Sequence, residues 1–372
     1  QVEKQKNRIQ EAPYDCAAHF LLGEAYIHLK QFSNAMVPLK EAIRIDSNFM
    51  DSYFLLGKAC VELGRDEEAI EPLEKSLERN RQSSAIRSLL AEAHKNLCVA
   101  YGKFKRYDEA IREFNEAIKV KPNYGAVYLS VSKTYFQQGR YDETLIHLEK
   151  ALKMDKNLGV EAHYQFGVVF AKLGKQTKAI KHYKEAIEIN PKAALPQLNL
   201  GLIHMKSGKY KDAIKPLQAA VTYSPRLASD GWYPLGVAFF KLNRYSEAVE
   251  PLREALKVSR ANEKVRNALV EALYQVGMSH GKNQRIKEQI DALGEAIDVY
   301  PDHAKSHFAL GTVYDLVKKG RLAAFHMNRA KLAYGQQENT LGYSKSRRTL
   351  EFLYKKYNLN PKDFEKVGVL KK

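Results

Sequence analysis

The sequence predicts an all-α chain built from stacked antiparallel helix pairs, and three observations carry that expectation. First, small residues recur at fixed spacing through most of the 372 residues: Gly23, Gly57, Cys98, Ser132, Gly167, Gly201, Gly236, Gly277 and Gly311. Twelve residues after each comes a second position, held by Ala35, Ala69, Ala110, Thr144, Ala179, Ala213, Ala248, Gln289 and Ala323. Seven further on lies a third, held by Ala42, Ser76, Ala117, Ala151, Ala186, Ala220, Ala255, Ala296 and Ala330. Small residues let two helix axes approach closely, and large neighbours such as Leu39, Phe114, Tyr183 and Leu252 fill the gaps beside them. Second, 12 Pro and 21 Gly are too few for the many turns of a sandwich or barrel. Third, 45% hydrophobic and 28% charged residues are the composition of a folded chain rather than a disordered one.

Taken in order, residues 1–15 read as the end of a preceding helix, stopped by Pro13. Residues 16–337 then divide into nine 34-residue units, starting at Cys16, Met50, Ala91, Gly125, Val160, Ala194, Ser229, Val270 and Ala304. Within a unit, segments such as Gly139-Arg140 and Gly208-Lys209 turn the chain between helices, with Gly as the residue just past the first helix. Pro122, Pro191, Pro225 and Pro301 stop second helices before the next unit begins. Insertions of seven residues at 84–90 and 263–269 extend two first helices by two turns, about 10 Å each. These sites are related by a longer period, since RDEEAIEPL from Arg65 matches RYSEAVEPL from Arg244. The long helices read either as an inherited duplication or as ridges that dock a partner or another copy of the chain. Pro38, Pro72, Pro216 and Pro251 share one place inside second helices and are expected to bend them. Thr144 and Gln289 stand where a small residue is expected, so looser packing is predicted there. Residues 338–372 read as a basic capping helix and tail.

This pattern resembles the tetratricopeptide repeat (TPR) family over nearly the whole chain. The resemblance implies a right-handed superhelical solenoid of antiparallel helix pairs, whose concave groove, lined by the first helix of each unit, binds protein partners. Helical spacing places residues two, five, nine and twelve of a unit on that lining face. At residues five and nine the early units carry polar or mixed pairs, such as Phe20 with Glu24 and Phe54 with Lys58. From the fifth unit onward the face turns apolar: Tyr164 and Val168, then Leu198, Leu202 and Met205, then Tyr233, Val237 and Phe240, then Tyr274 and Met278. A run of this kind marks a partner groove for an apolar or amphipathic segment, unless the capping helix or tight packing covers it. Lys172, Lys206, Lys241 and Lys282 near the ends of these helices favour acidic flanks on the ligand. Some family members grip a chaperone's terminal carboxylate with a Lys/Asn clamp; the pairs here do not supply it, so that role is disfavoured. The expectation is a scaffold or subunit of a larger protein assembly.

Chemistry is poorly supplied. There is no Gly-rich phosphate loop, no His-Glu-x-x-His and no Cys-x-x-Cys, so no enzyme, cofactor or metal site is expected. His19, His94, His163 and His307 all fall at the fourth residue of a unit and are expected to be partly buried packing residues; His303 and His307 lack a third ligand. Cys60 and Cys98 sit at packing positions and should be inert. Three cysteines make no disulfide framework, which favours a reducing, cytoplasmic setting; the chain opens at Gln1 rather than Met, so an upstream signal or anchor stays open. No apolar run is long enough to span a membrane.

The formal charge is +17, and much of it gathers near the C-terminus. Lys345, Arg347, Arg348, Lys355 and Lys356 lie among aromatic residues at helical spacing. One reading is a cap, apolar through Leu350, Leu353 and Tyr357, with a solvated basic face. The other is an adaptor docking on an acidic surface: nucleic acid (disfavoured), anionic membrane or acidic protein.

Overall fold

The structure, a computed structural model, describes residues 1–364; residues 365–372, the end of the expected basic tail, lie outside the described residues. The chain separates into two compact units, Gln1–Asn190 and Pro191–Lys372. In the first, α1 (Val2–Glu11) precedes five helix pairs. These are α2 (Cys16–His28) with α3 (Phe32–Ile45), and α4 (Met50–Glu62) with α5 (Asp66–Arg79). Next come α6 (Ser84–Lys103) with α7 (Tyr107–Val120), α8 (Gly125–Gln137) with α9 (Tyr141–Met154), and α10 (Gly159–Lys172) with α11 (Gln176–Ile189). The second unit holds α12 (Ala194–Lys206) with α13 (Tyr210–Tyr223), and α14 (Ala228–Lys241) with α15 (Tyr245–Val258). It continues with α16 (Glu263–Lys282) and α17 (Ile286–Val299), then α18 (Ala304–Leu316) and α19 (Gly320–Gln336), and ends with α20 (Thr340–Lys356) packed on α19. No strand occurs among the described residues, and no helix there is long and apolar enough to cross a membrane.

Each pair closes through a three-residue turn whose middle residue takes the left-handed conformation. Glycine supplies it at Gly64, Gly139, Gly174 and Gly208, with φ between 69° and 76°. The other five turns use Lys30, Lys105, Asn243, Gln284 and Lys318, with φ between 57° and 60°. The next amide reaches back five residues in every turn, for example Arg65 N to Cys60 O at 2.8 Å and Lys319 N to Tyr314 O at 2.8 Å. That bond satisfies a carbonyl the helix end would otherwise leave open. A short reversal of this kind forces the two helices antiparallel.

The pairs lock through the small residues. A Cβ built on Gly23, Gly57, Gly201 or Gly236 would fall 2.5–2.6 Å from the Cγ of Leu39, Leu73, Leu217 or Leu252, each fully buried. Glycine is the residue that lets those leucines seat. The Gln289 side chain lies over Gly281, where a Cβ would meet Nε2 at 2.6 Å, and in this pair the Gly277 Cβ position is 2.8 Å from Leu293 Cγ. Thr144 is fully buried, and its hydroxyl donates to Arg140 O at 2.8 Å. Both larger residues thus meet local partners.

Helices α6 and α16 run 20 residues against 13 or 14 for the other first helices. Each starts on a capped amide: Ser83 Oγ accepts from Ile86 N, and Asn262 Oδ1 accepts from Val265 N. Short 3-10 turns at Lys156–Leu158 and Pro225–Leu227 take up the two single insertions. They start α10 at Gly159 and α14 at Ala228, one residue before the repeat count places them.

Candidate functional site

In the carboxy-terminal unit the expected lining residues lie on three successive first helices. Leu202 and Met205 on α12, Tyr233, Val237 and Phe240 on α14, and Tyr274 and Met278 on α16 are all half-buried. Leu202, Met205, Tyr233 and Phe240 rest on one cluster of buried side chains that includes Leu235, Phe239 and Leu269. Phe240 also meets Tyr245 edge to face at 5.2 Å. Leu198 behaves differently from its sequence expectation, being only 5% exposed and part of that cluster. Gly231 on α14 has no side chain, and Leu198 Cδ1 sits 3.8 Å from where its Cβ would be. Leu198 is thus spent on the core and offers little surface to a ligand.

Tyr274 and Met278 line a cavity of about 690 Å³ together with Ile286, Phe308, Val313 and Leu316. Three charged residues, Lys282, Lys305 and Asp315, share its lining. Lys305 is tied to Glu271 Oε2 at 3.1 Å and lies 5.7 Å from the Tyr274 ring centre; Asp315 accepts from Lys356 and from the Tyr357 hydroxyl, each at 2.8 Å. Burial raises the Tyr274 phenol above its ordinary pKa, which keeps that ring uncharged. Lys206, Lys241 and Lys282 are exposed at the last turns of α12, α14 and α16.

Tyr164 and Val168 lie on α10 of the amino-terminal unit and are half-buried, Tyr164 with its ring 6.2 Å from that of Tyr183. The earlier first helices of this unit carry a polar network instead. Asn96 donates to Asp66 at 2.9 Å, Tyr101 to Glu67 at 2.9 Å, and Lys133 pairs with Glu161 at 3.0 Å. Tyr124 donates to Glu92, which also pairs with Lys95.

Lys345, Arg347, Arg348, Lys355 and Lys356 are all exposed on α20. The opposite face buries Ser346, Leu350 and Leu353 against Ala323, Ala324 and Met327, and Tyr357 covers Gly320 so closely that a Cβ there would strike its ring at 2.2 Å. Two of the five cations have acidic neighbours: Arg347 with Glu351 at 3.7 Å, and Lys356 with Asp315.

The histidines at the fourth residue of a repeat do more than fill space. His19 and His307 each place Nε2 on the carbonyl six residues earlier, Pro13 at 2.9 Å and Pro301 at 2.8 Å. The Tyr128 hydroxyl and the Gln197 amide donate to Pro122 and Pro191 in the same way. The fourth residue thus ties down the turn between repeats. It also faces the residue nineteen further on, in the second helix. There His94 meets Glu113 at 2.7 Å, His163 meets His182 at 3.1 Å, and His307 meets His326 at 3.0 Å. Pro38, Pro72, Pro216 and Pro251 occupy this same place in other repeats. Burial pushes His326 down to about 3 and His147 and His303 down to about 4. His182 is also lowered, by burial first, against the pull of Glu185. These partners were missed in the sequence; the signal was a titratable residue nineteen positions after the fourth residue. Burial also raises Cys60 and pushes Cys98 up to about 12, which leaves both thiols protonated and unreactive.

Comparison with known proteins follows the repeat. Models of the tetratricopeptide repeat match residues 91–124, 126–158 and 198–263, and a TPR repeat model matches 167–208. Residues 6–76 match the model of anaphase-promoting complex, cyclosome, subunit 3. Among solved structures, YrrB, described as a TPR protein with an unusual peptide-binding site, is 20% identical; the match covers 53% of this chain and 97% of that one, with TM-score 0.39. A MamA protein is 25% identical, with 44% and 91% covered and TM-score 0.37. The APC/C hetero-tetramer Cut9-Hcn1 is 18% identical, with 91% and 76% covered and TM-score 0.36. Comparison with curated proteins gives no match.

Proposed function

Because the chain belongs to the tetratricopeptide repeat family, we propose that it is a non-enzymatic protein-interaction scaffold, working as a subunit of a larger assembly. The observation that carries the reading is the half-buried apolar set on consecutive first helices of the carboxy-terminal unit: Leu202, Met205, Tyr233, Val237, Phe240, Tyr274 and Met278. Side chains already half seated on a rigid core lose little freedom when a ligand covers the rest, so they suit an apolar or amphipathic segment. Exposed Lys206, Lys241 and Lys282 at the helix ends favour acidic residues beside that segment. Tyr164 and Val168, on α10 of the amino-terminal unit, are proposed as partner-facing residues of that unit. The match of residues 6–76 to a subunit of a multiprotein complex supports the assembly role.

The test begins with the partner captured from native extract. Tyr233→Ala should weaken its binding by about 2 kcal/mol if Tyr233 is a central anchor. Leu202→Asp should weaken it further by placing a charge against apolar surface. Phe20→Ala, in the more polar first repeat, should cost less. If folded Tyr233→Ala and Leu202→Asp chains hold the partner as tightly as the parent, the groove reading is wrong.

The exposed Lys345, Arg347, Arg348, Lys355 and Lys356 favour a second reading, an adaptor whose last helix docks on an acidic surface. Salt separates the two readings. Attachment through α20 should fall steeply with ionic strength, whereas the apolar lining should lose only modestly.

A further inference from the structure

In the amino-terminal unit, three side chains from α10 and α11 bring one polar atom each to a single spot. His163 Nδ1 and His182 Nδ1 are 3.1 Å apart. Glu185 Oε2 lies 2.8 Å from His182 Nδ1 and 3.1 Å from His163 Nδ1. His182 and Glu185 are spaced i and i+3, so one face of α11 presents both across to α10. Two facing imidazole nitrogens can share one proton between them. Glu185 Oε2, itself out of contact with solvent, competes for that same proton at 2.8 Å from His182 Nδ1, and Lys181 stands 3.8 Å from the other oxygen. One ring proton cannot serve all three buried polar atoms, and a cation at the shared spot would satisfy them together.

We propose that His163, His182 and Glu185 bind a zinc ion that clips α10 to α11, with water in the fourth position. Zinc takes imidazole nitrogen at about 2.0–2.1 Å and carboxylate oxygen at about 2.0–2.2 Å in tetrahedral array, which sets ligand atoms about 3.3 Å apart. The three separations here need to open by only a few tenths of an ångström. The imidazole of His182 is already fixed, with Phe166 and Phe170 stacked nearly parallel to it at 4.8 and 5.4 Å. Preset orientation of this sort is what ligand histidines receive from their surroundings. The side chains of His163, His182 and Glu185 keep 21%, 20% and 31% of their surface, which leaves a way in for the ion and room for its water.

The neighbouring histidine pair supplies the contrast. His307 and His326 occupy the same two places in the last repeat, Nδ1 to Nδ1 at 3.0 Å. Three residues beyond His326 stands Arg329, which pairs with Asp302 at 3.1 Å, so that pair has no carboxylate and gains a nearby cation. Among the described residues, His163, His182 and Glu185 are the one group of three such ligands within reach of a single ion.

The experiment uses the full chain without a histidine tag, stripped with chelator and titrated calorimetrically with zinc chloride. The expected result is one saturable site with micromolar or tighter affinity, a melting temperature that rises with zinc, and a tetrahedral visible spectrum with cobalt(II). His163→Gln and Glu185→Gln should each weaken zinc binding at least about tenfold, the least that disturbing a ligand's support usually costs. His307→Gln should leave it unchanged. Glu185→Gln keeps the size of a half-exposed side chain, and unchanged circular dichroism verifies its fold. Absence of saturable zinc binding in the parent, or equal binding by parent and Glu185→Gln, overturns the proposal.

Discussion

Gly236 and Gly294 are both helix-interior glycines of the carboxy-terminal unit, and replacing each with Ala should move stability in opposite directions. Alanine is favoured over glycine inside a helix by about 0.8–1 kcal/mol. At Gly294 a new Cβ meets nothing within 4 Å, so Gly294→Ala should collect that whole gain. At Gly236 the Cβ would lie 2.5 Å from Leu252 Cγ, 2.7 Å from Cδ2 and 3.2 Å from the Leu252 amide nitrogen. Leu252 is fully buried and its Cγ is the branch point of the side chain, so relief requires about 1 Å of movement by the leucine or its helix. Overpacking of this kind costs about 1–3 kcal/mol, which exceeds the propensity gain and leaves a net loss of about 1 kcal/mol. The two variants should therefore differ by about 2 kcal/mol. Urea denaturation followed by circular dichroism reads the difference, with the slope compared between variants because a long repeat array need not unfold in one step. Gly236→Ala melting with or above Gly294→Ala would refute the claim that glycine there is a packing requirement.

Other expectations follow from single positions. Lys105 holds φ 60° where four of the equivalent turns use glycine, so Lys105→Gly should stabilise the chain by up to about 1 kcal/mol, and Gly139→Lys should cost a similar amount; urea midpoints decide both. Neutralising Lys345, Arg347, Arg348, Lys355 and Lys356 together should leave partner affinity nearly unchanged and reduce its salt dependence little; a large loss at low salt would move the binding role to α20. The folded chain holds His147 near 4 against about 6.5 unfolded, so it binds fewer protons across that window, and stability falls as pH drops from about 6.5 through 4. Its ring stacks on Tyr135 at 5.1 Å and its buried Nδ1 has no partner, so His147→Phe should flatten this acid loss without harming the neutral chain; an unchanged pH profile of melting counts against it.

Repeat arithmetic exposed most of the scaffold because its physics is local. A small residue opposite a buried leucine or aromatic, and a left-handed residue closing the turn, are each readable from one unit and checked against eight others. Even so, a search for glycine finds only four of the nine left-handed turns, since packing of the two helices imposes the conformation on Lys30, Lys105, Asn243, Gln284 and Lys318 as well. Leu198 shows the corresponding limit for the surface. Its spacing places it on the lining face, but it is buried in the cluster that holds Leu217 and Leu235 of the helices that follow. Spacing within a helix cannot report what the next helices cover.

The same distinction explains why the histidine cluster escaped the sequence. His163 and Glu185 are twenty-two residues apart and resemble no metal motif, because the motif is written across two helices and only His182 and Glu185 share one. Once the repeat register is known, the fourth residue and the residue nineteen beyond it form a standing cross-helix pair. In four repeats Pro38, Pro72, Pro216 or Pro251 fills the second place, in the third and last repeats Glu113 and His326 do, and beside His182 the carboxylate three residues on meets both histidines. The positions that pack the array are held small in nearly every repeat, Thr144 and Gln289 being the departures, and have little freedom to differ. Chemistry and recognition are therefore confined to places that packing leaves free: the fourth residue and its partner for ligation, and residues nine and twelve of the first helices for a ligand's apolar face.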